Sequence, residues 1–251
     1  MAKSYLVGLD LGGTKLLATA LDDDYNVVGR AKIKVGAGRD NSSILECLGE
    51  AVEAALDDAK TGLKALAGIG IASPGPIDFE KGVVVETPNL HLNNLPVRDA
   101  LESRFGVPVF LENDVNAGTF GEFVRGAGVG YRHVVGLFPG TGLGGGLILD
   151  GRLFRGTSGA AGEIGHITIE PNGPKCGCGN HGCLEQMASR TAIAKELVGL
   201  ALHGQSQVIL KEAGTDISKV KSKPSSKWCS EPLSIWASAW RRRSTSSTRS
   251  S

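Results

Sequence analysis

Residues 5–21 read YLVGLDLGGTKLLATAL: an apolar stretch from Tyr5 to Leu11, then Gly12-Gly13-Thr14-Lys15, then a second apolar stretch from Leu16 to Leu21. Each stretch has the length and composition of a strand, and the glycines between them fit a tight reversal, so the segment reads as a hairpin with a bare turn. Backbone N–H groups that no side chain blocks can cradle an anion. The same order returns in residues 133–149, HVVGLFPGTGLGGGLIL, where His133 to Phe138 and Gly145 to Leu149 flank Pro139-Gly140-Thr141-Gly142-Leu143-Gly144. Either turn alone also reads as an ordinary hairpin. Together, one in each half, they point to two related α/β domains facing each other across a cleft.

The intervening sequence supports an α/β chain. Ile44, Leu45, Leu48, Val52, Ala55 and Leu56 recur at helical spacing within Ser43 to Leu56, with Asn41 or Ser42 placed to cap the helix. A strand is expected at Leu66 to Ala72, a sharp turn at Ser73-Pro74-Gly75-Pro76-Ile77-Asp78, a helix at Val97 to Phe105 and a strand at Val107 to Leu111. Helices follow at Asp114 to Arg125 and Arg190 to Leu202. Strands alternating with helices define the class. The expected organisation is an N-terminal α/β domain over 1–115, a second α/β domain over 116–214 and an unrelated segment over 215–251.

That last boundary rests on composition. Of 251 residues, 41% are hydrophobic and 21% charged, enough for real cores and incompatible with a disordered chain. Glycine contributes 36 residues, 20 of them between Gly118 and Gly182, and none follows Gly214. Residues 215–251 hold twelve serines, all three tryptophans and no coherent periodicity. The net charge of +1 divides into −5 up to Gly214 and +6 beyond it. An acidic body gives no reason to expect nucleic acid as a partner. No run approaches the ~20 apolar residues that span a bilayer, and no cleavable signal pattern opens the chain, so a cytoplasmic protein without membrane contact is expected.

Several groups could carry chemistry. Asp10 precedes the first turn, where a carboxylate beside a phosphate can hold Mg²⁺ directly or through water. Gly140, Gly142 and Gly145 formally satisfy the dinucleotide fingerprint, but that motif needs a helix after the glycines and Gly146 to Asp150 reads as strand. No Gly-Lys-Ser/Thr triplet of a Walker loop occurs. Glu112-Asn113-Asp114 falls at a strand-to-helix junction, where Asp114 either caps the helix or serves as a general base. The densest signal is Gly162-Glu163-Ile164-Gly165-His166 followed by Cys176, Cys178 and Cys183. Three thiols and one imidazole fill a tetrahedral Zn²⁺ shell, with His166 or His181 as the fourth ligand, and a filled shell makes the metal structural.

Taken together, LDLGGTK, SPGPID, TPNL, END, GTGLGGG and GEIGH linked to CGCGNHGCLE resemble the ROK family of sugar kinases and sugar-responsive repressors, most closely its bacterial glucokinase branch. The resemblance spans roughly Tyr5 to Leu202. It implies a two-domain, actin-like ATPase (ribonuclease H-like) fold with ATP and a sugar meeting in the interdomain cleft. It implies Asp114 as catalytic base, and Gly75, Asn89, Asn113, Asp114, Glu163, His166 and Glu185 as sugar contacts. Asp10, Gly12, Gly13, Thr14, Lys15, Thr141 and Gly142 match the phosphate and Mg²⁺ region, and His166, Cys176, Cys178 and Cys183 match zinc ligands. The implied reaction is phosphorylation of a hexose at O6, glucose before N-acetylmannosamine, N-acetylglucosamine, allose or fructose. The family's full-length kinases imply a homodimer.

Family repressors carry a helix-turn-helix module ahead of the first phosphate loop, and four residues precede Tyr5. Family kinases continue past the position of Gly214 with helices that seat adenosine. Residues 215–251 match none of that, and read one nucleotide earlier, Trp236 to Arg241 admits Leu-Gly-Ile-Gly-Leu-Ala, which is family-like. The expectation is a frame slip between about Gly214 and Trp228 that leaves the large domain incomplete, with an inactive sugar-binding remnant as the alternative to a working kinase.

Overall fold

The computed structural model describes residues 4–36, 40–87, 90 and 92–202. The expected sugar contact Asn89 and the segment expected to be aberrant, 215–251, lie outside the described residues. The chain runs through strands β1 (Tyr5–Leu11), β2 (Lys15–Leu21) and β3 (Val27–Lys34), helix α1 (Asn41–Asp58), and strands β4 (Leu66–Ser73), β5 (Ile77–Asp78), β6 (Val83–Thr87) and β7 (Leu92–Leu95). Next come α2 (Val97–Phe105), β8 (Val109–Asn113), α3 (Asp114–Arg125), β9 (Val134–Pro139), β10 (Leu143–Leu149) and β11 (Arg152–Leu153), then α4 (Glu185–Ala188) and α5 (Arg190–Leu202). Contacts divide it into two units: Met1–Gly136 with Gly145–Gly162, and Leu137–Gly144 with Glu163–Ser251.

The first unit is built on a five-stranded sheet in the order β3-β2-β1-β4-β8. β1 pairs antiparallel with β2 and parallel with β4, and β4 pairs parallel with β8. Alternation along β1 sends Val7, Leu9 and Leu11 to one face, where they join Leu16, Ala18, Ile69, Ile71, Val109 and Leu111 in the core. Helix α1 covers that face with Ile44, Leu48, Val52, Ala55 and Leu56. Its cap is Asp40, one residue before the expected Asn41 or Ser42, because the Asp40 carboxylate accepts the Ser43 N–H at 2.9 Å. Gly29 of β3 lets the helix end come close: a Cβ there would lie 2.6 Å from the Ala59 nitrogen.

The opposite face presents small residues, Gly8, Gly68, Gly70 and Ala72, and lines a groove of about 860 Å³ whose walls include Phe110 and Phe120. The parallel strands end side by side, with Asp10 level with Ala72 and Ala72 level with Glu112. Three loops therefore open at one edge: the Gly12–Lys15 turn, the bend at Pro74–Pro76 and the Asn113–Asp114 corner. In open α/β sheets, ligands bind at this carboxyl edge. The second hairpin, β9 and β10, joins β11 in a separate three-stranded sheet. Because Leu143 to Leu149 is strand, the dinucleotide fingerprint lacks its helix, as expected. In the second unit a short 3-10 turn, Ile164–His166, precedes a loop that leads into α4 and α5.

Candidate functional site

At the carboxyl edge of the first unit, β1 and β2 close on a tight turn in which Gly12 N–H donates to the Lys15 carbonyl at 3.0 Å. A Cβ on Gly12 would come within 2.9 Å of that oxygen, so the turn requires a glycine there. Thr14 and Lys15 are exposed. Gly75 has φ +94°, a left-handed conformation that keeps its backbone bare beside the edge.

The Asn113–Asp114 corner settles which residue caps α3. The Asn113 side chain accepts the Val115 and Asn116 N–H groups at 3.0 and 3.2 Å. Asp114 takes only a second share of Val115 N–H, through Oδ1 at 2.9 Å. The capping is done by Asn113, so the carboxylate of Asp114 is available to accept a proton at the helix N-terminus. Asp10 lies within its field: burial, and next the charge of Asp114, push the Asp10 carboxyl above its ordinary value. Two carboxylates set in each other's field suit a divalent cation, which relieves the repulsion.

A neighbouring network was not legible from the sequence. Glu112, whose side chain is 15% exposed, accepts from Arg155 Nε at 2.7 Å, Asn116 Nδ2 at 3.1 Å and Asn113 N–H at 3.0 Å. Arg155 also stacks over the Phe79 ring, 5.2 Å from its centroid. Arg155 thereby holds the corner from 43 residues away along the chain. Asn116 reaches Glu112 because the chain turns from β8 into α3 between them, so helical spacing gave no signal for the pair. Among the described residues its Oδ1 is buried and lacks a partner.

In the second unit, the Gly140–Gly142 turn is closed by Gly140 N–H donating to the Gly142 carbonyl at 2.8 Å, and Thr141 at its tip is exposed. Glu185, expected as a sugar contact, sits on this turn: its Oε2 accepts the Leu143 N–H at 2.9 Å. Its carboxylate fills the space where any side chain at position 142 would start, with Cδ 3.2 Å from a Cβ built on Gly142.

The structure brings His166, Cys176, Cys178 and Cys183 together, their ligand atoms all within 4.8 Å of one another. Cys178 Sγ to Cys183 Sγ is 3.7 Å and Cys176 Sγ to His166 Nδ1 is 3.6 Å. Zn–S bonds of about 2.3 Å at tetrahedral angles give an edge of about 3.8 Å. A disulfide needs about 2.05 Å, so the spacing suits a metal shell. Cys176 and Cys183 are buried, and burial, with the neighbouring thiols adding to it, pushes the Cys183 thiol up to about 12. The Asn180 N–H holds Cys178 below its usual range. His181 is exposed, with Nδ1 3.3 Å from the Gly173 carbonyl, and takes no part in the cluster. His166 turns Nδ1 to the thiols and Nε2 towards Glu163, whose Oε2 lies 3.9 Å away. Metal-binding histidines are commonly oriented by a carboxylate in this way. Two glycines make the loop possible. A Cβ on Gly182, at φ +62°, would land on the Glu170 carbonyl, and one on Gly165 would land on that of Leu143.

Solved structures place the chain in a class: the glucokinase of Streptomyces griseus, crystallised with glucose and AMPPNP, superposes with a TM-score of 0.72 at 33% identity, covering 86% of this chain and 68% of its own. The chain has the α/β, actin-like ATPase fold of these sugar kinases. The model of the ROK family matches residues 6–224, and the chain belongs to that family. The glucokinase of Thermotoga maritima is 38% identical over 216 residues, 86% of this chain and 67% of the relative. A xylose repressor of Bacillus subtilis is 45% identical over 132 residues, 53% of this chain and 34% of the relative. The chain spans 57% to 67% of the length of the glucokinases it matches. No helix among the described residues is long and apolar enough to cross a membrane.

Proposed function

We propose that this chain is a hexose kinase that transfers the γ-phosphoryl group of ATP to O6 of a sugar, glucose before other hexoses. One observation carries the reading: Asp114 is freed from capping by Asn113 and set within the field of Asp10, beside the first glycine turn. The glucokinases among its relatives support the same choice.

Asp114 accepts the proton of the O6 hydroxyl as that oxygen attacks the γ-phosphorus in line; the O–P bond to ADP breaks and ADP leaves with the electron pair. The N–H groups of Gly12, Gly13, Thr141 and Gly142, with the side chains of Thr14 and Lys15, stabilise charge on the phosphoryl oxygens. Asp10 would hold Mg²⁺, which neutralises phosphate charge when bound. Gly75, Asn89 and Asn113, and in the second unit Glu163, His166 and Glu185, would contact the sugar hydroxyls, a reading supported by the motifs shared with the family. His166, Cys176, Cys178 and Cys183 would hold a structural Zn²⁺ that keeps the Glu163 and Glu185 segments in place.

The test is ATP-dependent phosphorylation across glucose, N-acetylmannosamine, N-acetylglucosamine, allose, fructose and xylose, run on the chain and on Asp114→Ala. Turnover with glucose foremost is expected, with Asp114→Ala losing at least about 10²-fold while sugar binding persists. Turnover of the variant within about tenfold of the parent overturns the assignment of Asp114. Sugar binding without turnover in the parent would replace the kinase by a sugar-binding remnant, a reading to which the similarity to a xylose repressor lends weight.

A further inference from the structure

The second glycine turn is clamped at both ends by the segment that follows the cysteine loop. Leu143 N–H donates to Glu185 Oε2 at 2.9 Å, and the Arg190 N–H donates to the Gly140 carbonyl at 3.0 Å. Neither bond uses the N–H groups of Thr141 or Gly142. Both clamps belong to the short stretch that holds α4 and the start of α5, and that stretch is tied to the cluster. Gln186 N–H donates to the Cys183 carbonyl at 2.9 Å, Gln186 Nε2 lies 3.7 Å from Cys176 Sγ, and the other Glu185 oxygen lies 3.7 Å from the same sulfur. Glu185 thus has one oxygen on the phosphate turn and the other against a cluster ligand.

We propose that Glu185, besides its proposed contact with the sugar, acts as a positioning residue that couples metal occupancy of the His166–Cys176–Cys178–Cys183 cluster to the shape of the Gly140–Leu143 turn. Four residues make up α4, too few for a helix that is stable alone. Its place is set by its anchors, and the nearest are Cys183 and Cys176. With the metal bound, Cys183 is fixed, Glu185 reaches Leu143 N–H, and the turn is held in one conformation. When the metal leaves, the thiols are no longer drawn together, α4 loses its anchor and the turn is released. The closeness of the carboxylate to the turn also explains why position 142 has room for hydrogen alone. The inference rests on the proposed zinc site, and it concerns the shape of the turn rather than turnover.

Amide hydrogen exchange read at single residues tests it, with zinc counted by elemental analysis in each sample. In the purified chain Leu143 N–H should exchange slowly, and stripping zinc with a chelator should speed it about tenfold, the effect of losing one hydrogen bond to a charged acceptor. Glu185→Ala should do the same with its zinc retained, and Glu185→Gln, whose amide oxygen still accepts, should keep most of the protection. Ile193 N–H, bonded to the Ser189 carbonyl at 3.0 Å in α5, serves as the control and should not change. Unchanged Leu143 exchange after zinc is shown to be gone overturns the coupling, as does acceleration of Ile193 in step with Leu143. Unchanged exchange in Glu185→Ala overturns the contact itself. A chain that neither contains nor takes up zinc refutes the metal site and the coupling with it, while the two Glu185 variants still decide whether the carboxylate holds the turn.

Discussion

Replacing Gly165 by alanine adds one methyl group at a place where backbone faces backbone. Gly165 is buried in the middle of the 3-10 turn that ends in His166, and the new Cβ would land on the Leu143 carbonyl, 3.0 Å from its carbon and 3.3 Å from the Leu143 Cβ. No rotamer change relieves that overlap, because both sides are main chain. Restoring van der Waals contact takes a displacement on the order of 1 Å. Metal–ligand distances tolerate roughly 0.2 Å, so His166 would leave the shell. Overpacking of this kind costs about 1–3 kcal/mol, and at this chain length each kcal/mol lowers Tm by about 2–4 °C, giving a fall of roughly 2–12 °C. If the proposed zinc site holds, zinc affinity should drop by at least about tenfold, the lower limit for disturbing the partners that orient a ligand. Competition with a chromophoric chelator and a thermal melt read both quantities. Gly177→Ala is the control: it lies in the same loop, a Cβ there meets nothing within 4 Å, and both readouts should match the parent. Zinc affinity within about threefold of the parent, with Tm within about 1 °C, would refute the reasoning that this turn fixes His166.

Three further outcomes follow from the first unit. Gly146→Ala would put a Cβ 2.8 Å from the Thr119 Cβ and 3.2 Å from the Val115 carbonyl, pushing α3 off β10; a loss of about 1–3 kcal/mol is expected in urea denaturation. Asp10→Asn should stabilise the ligand-free chain at neutral pH and weaken its binding of Mg²⁺-nucleotide. The folded state raises the Asp10 pKa, so the charged carboxylate costs stability above that value and the cost fades as pH falls through it. Melts of parent and variant should therefore differ at pH 7 and converge in acid. Arg155→Gln removes the ion pair to Glu112, but Arg155 is 45% exposed, so only about 1 kcal/mol is expected in a melt. If the proposed kinase reading holds, its turnover should fall by more than that loss of stability explains.

Legibility followed the range of the interactions. The two hairpins were visible because a strand, a glycine turn and a strand are set by residues adjacent in the chain. Strand limits were less so. The sequence placed one strand at Val107 to Leu111, whereas β8 runs from Val109 to Asn113, since pairing with β4 continues to Ser73 opposite Asn113. The cap of α1 shifted to Asp40 because a carboxylate in extended backbone reached Ser43 N–H first. Arg155 carried no local signal, as its partner Glu112 is brought near by the sheet.

The sequence by itself determined the chemistry that is available: two bare turns, a carboxylate at a helix start, three thiols and an imidazole in one short span, and the family they define. These are composition and local spacing, which short-range sterics translate directly into turns and helix ends. Tertiary structure decided how those groups are used. It chose His166 over His181 for the cluster, gave the capping of α3 to Asn113 and so released Asp114, and set Glu185 on the second glycine turn. Each choice depends on which backbone atoms meet across long stretches of chain, and packing, rather than sequence spacing, fixes that.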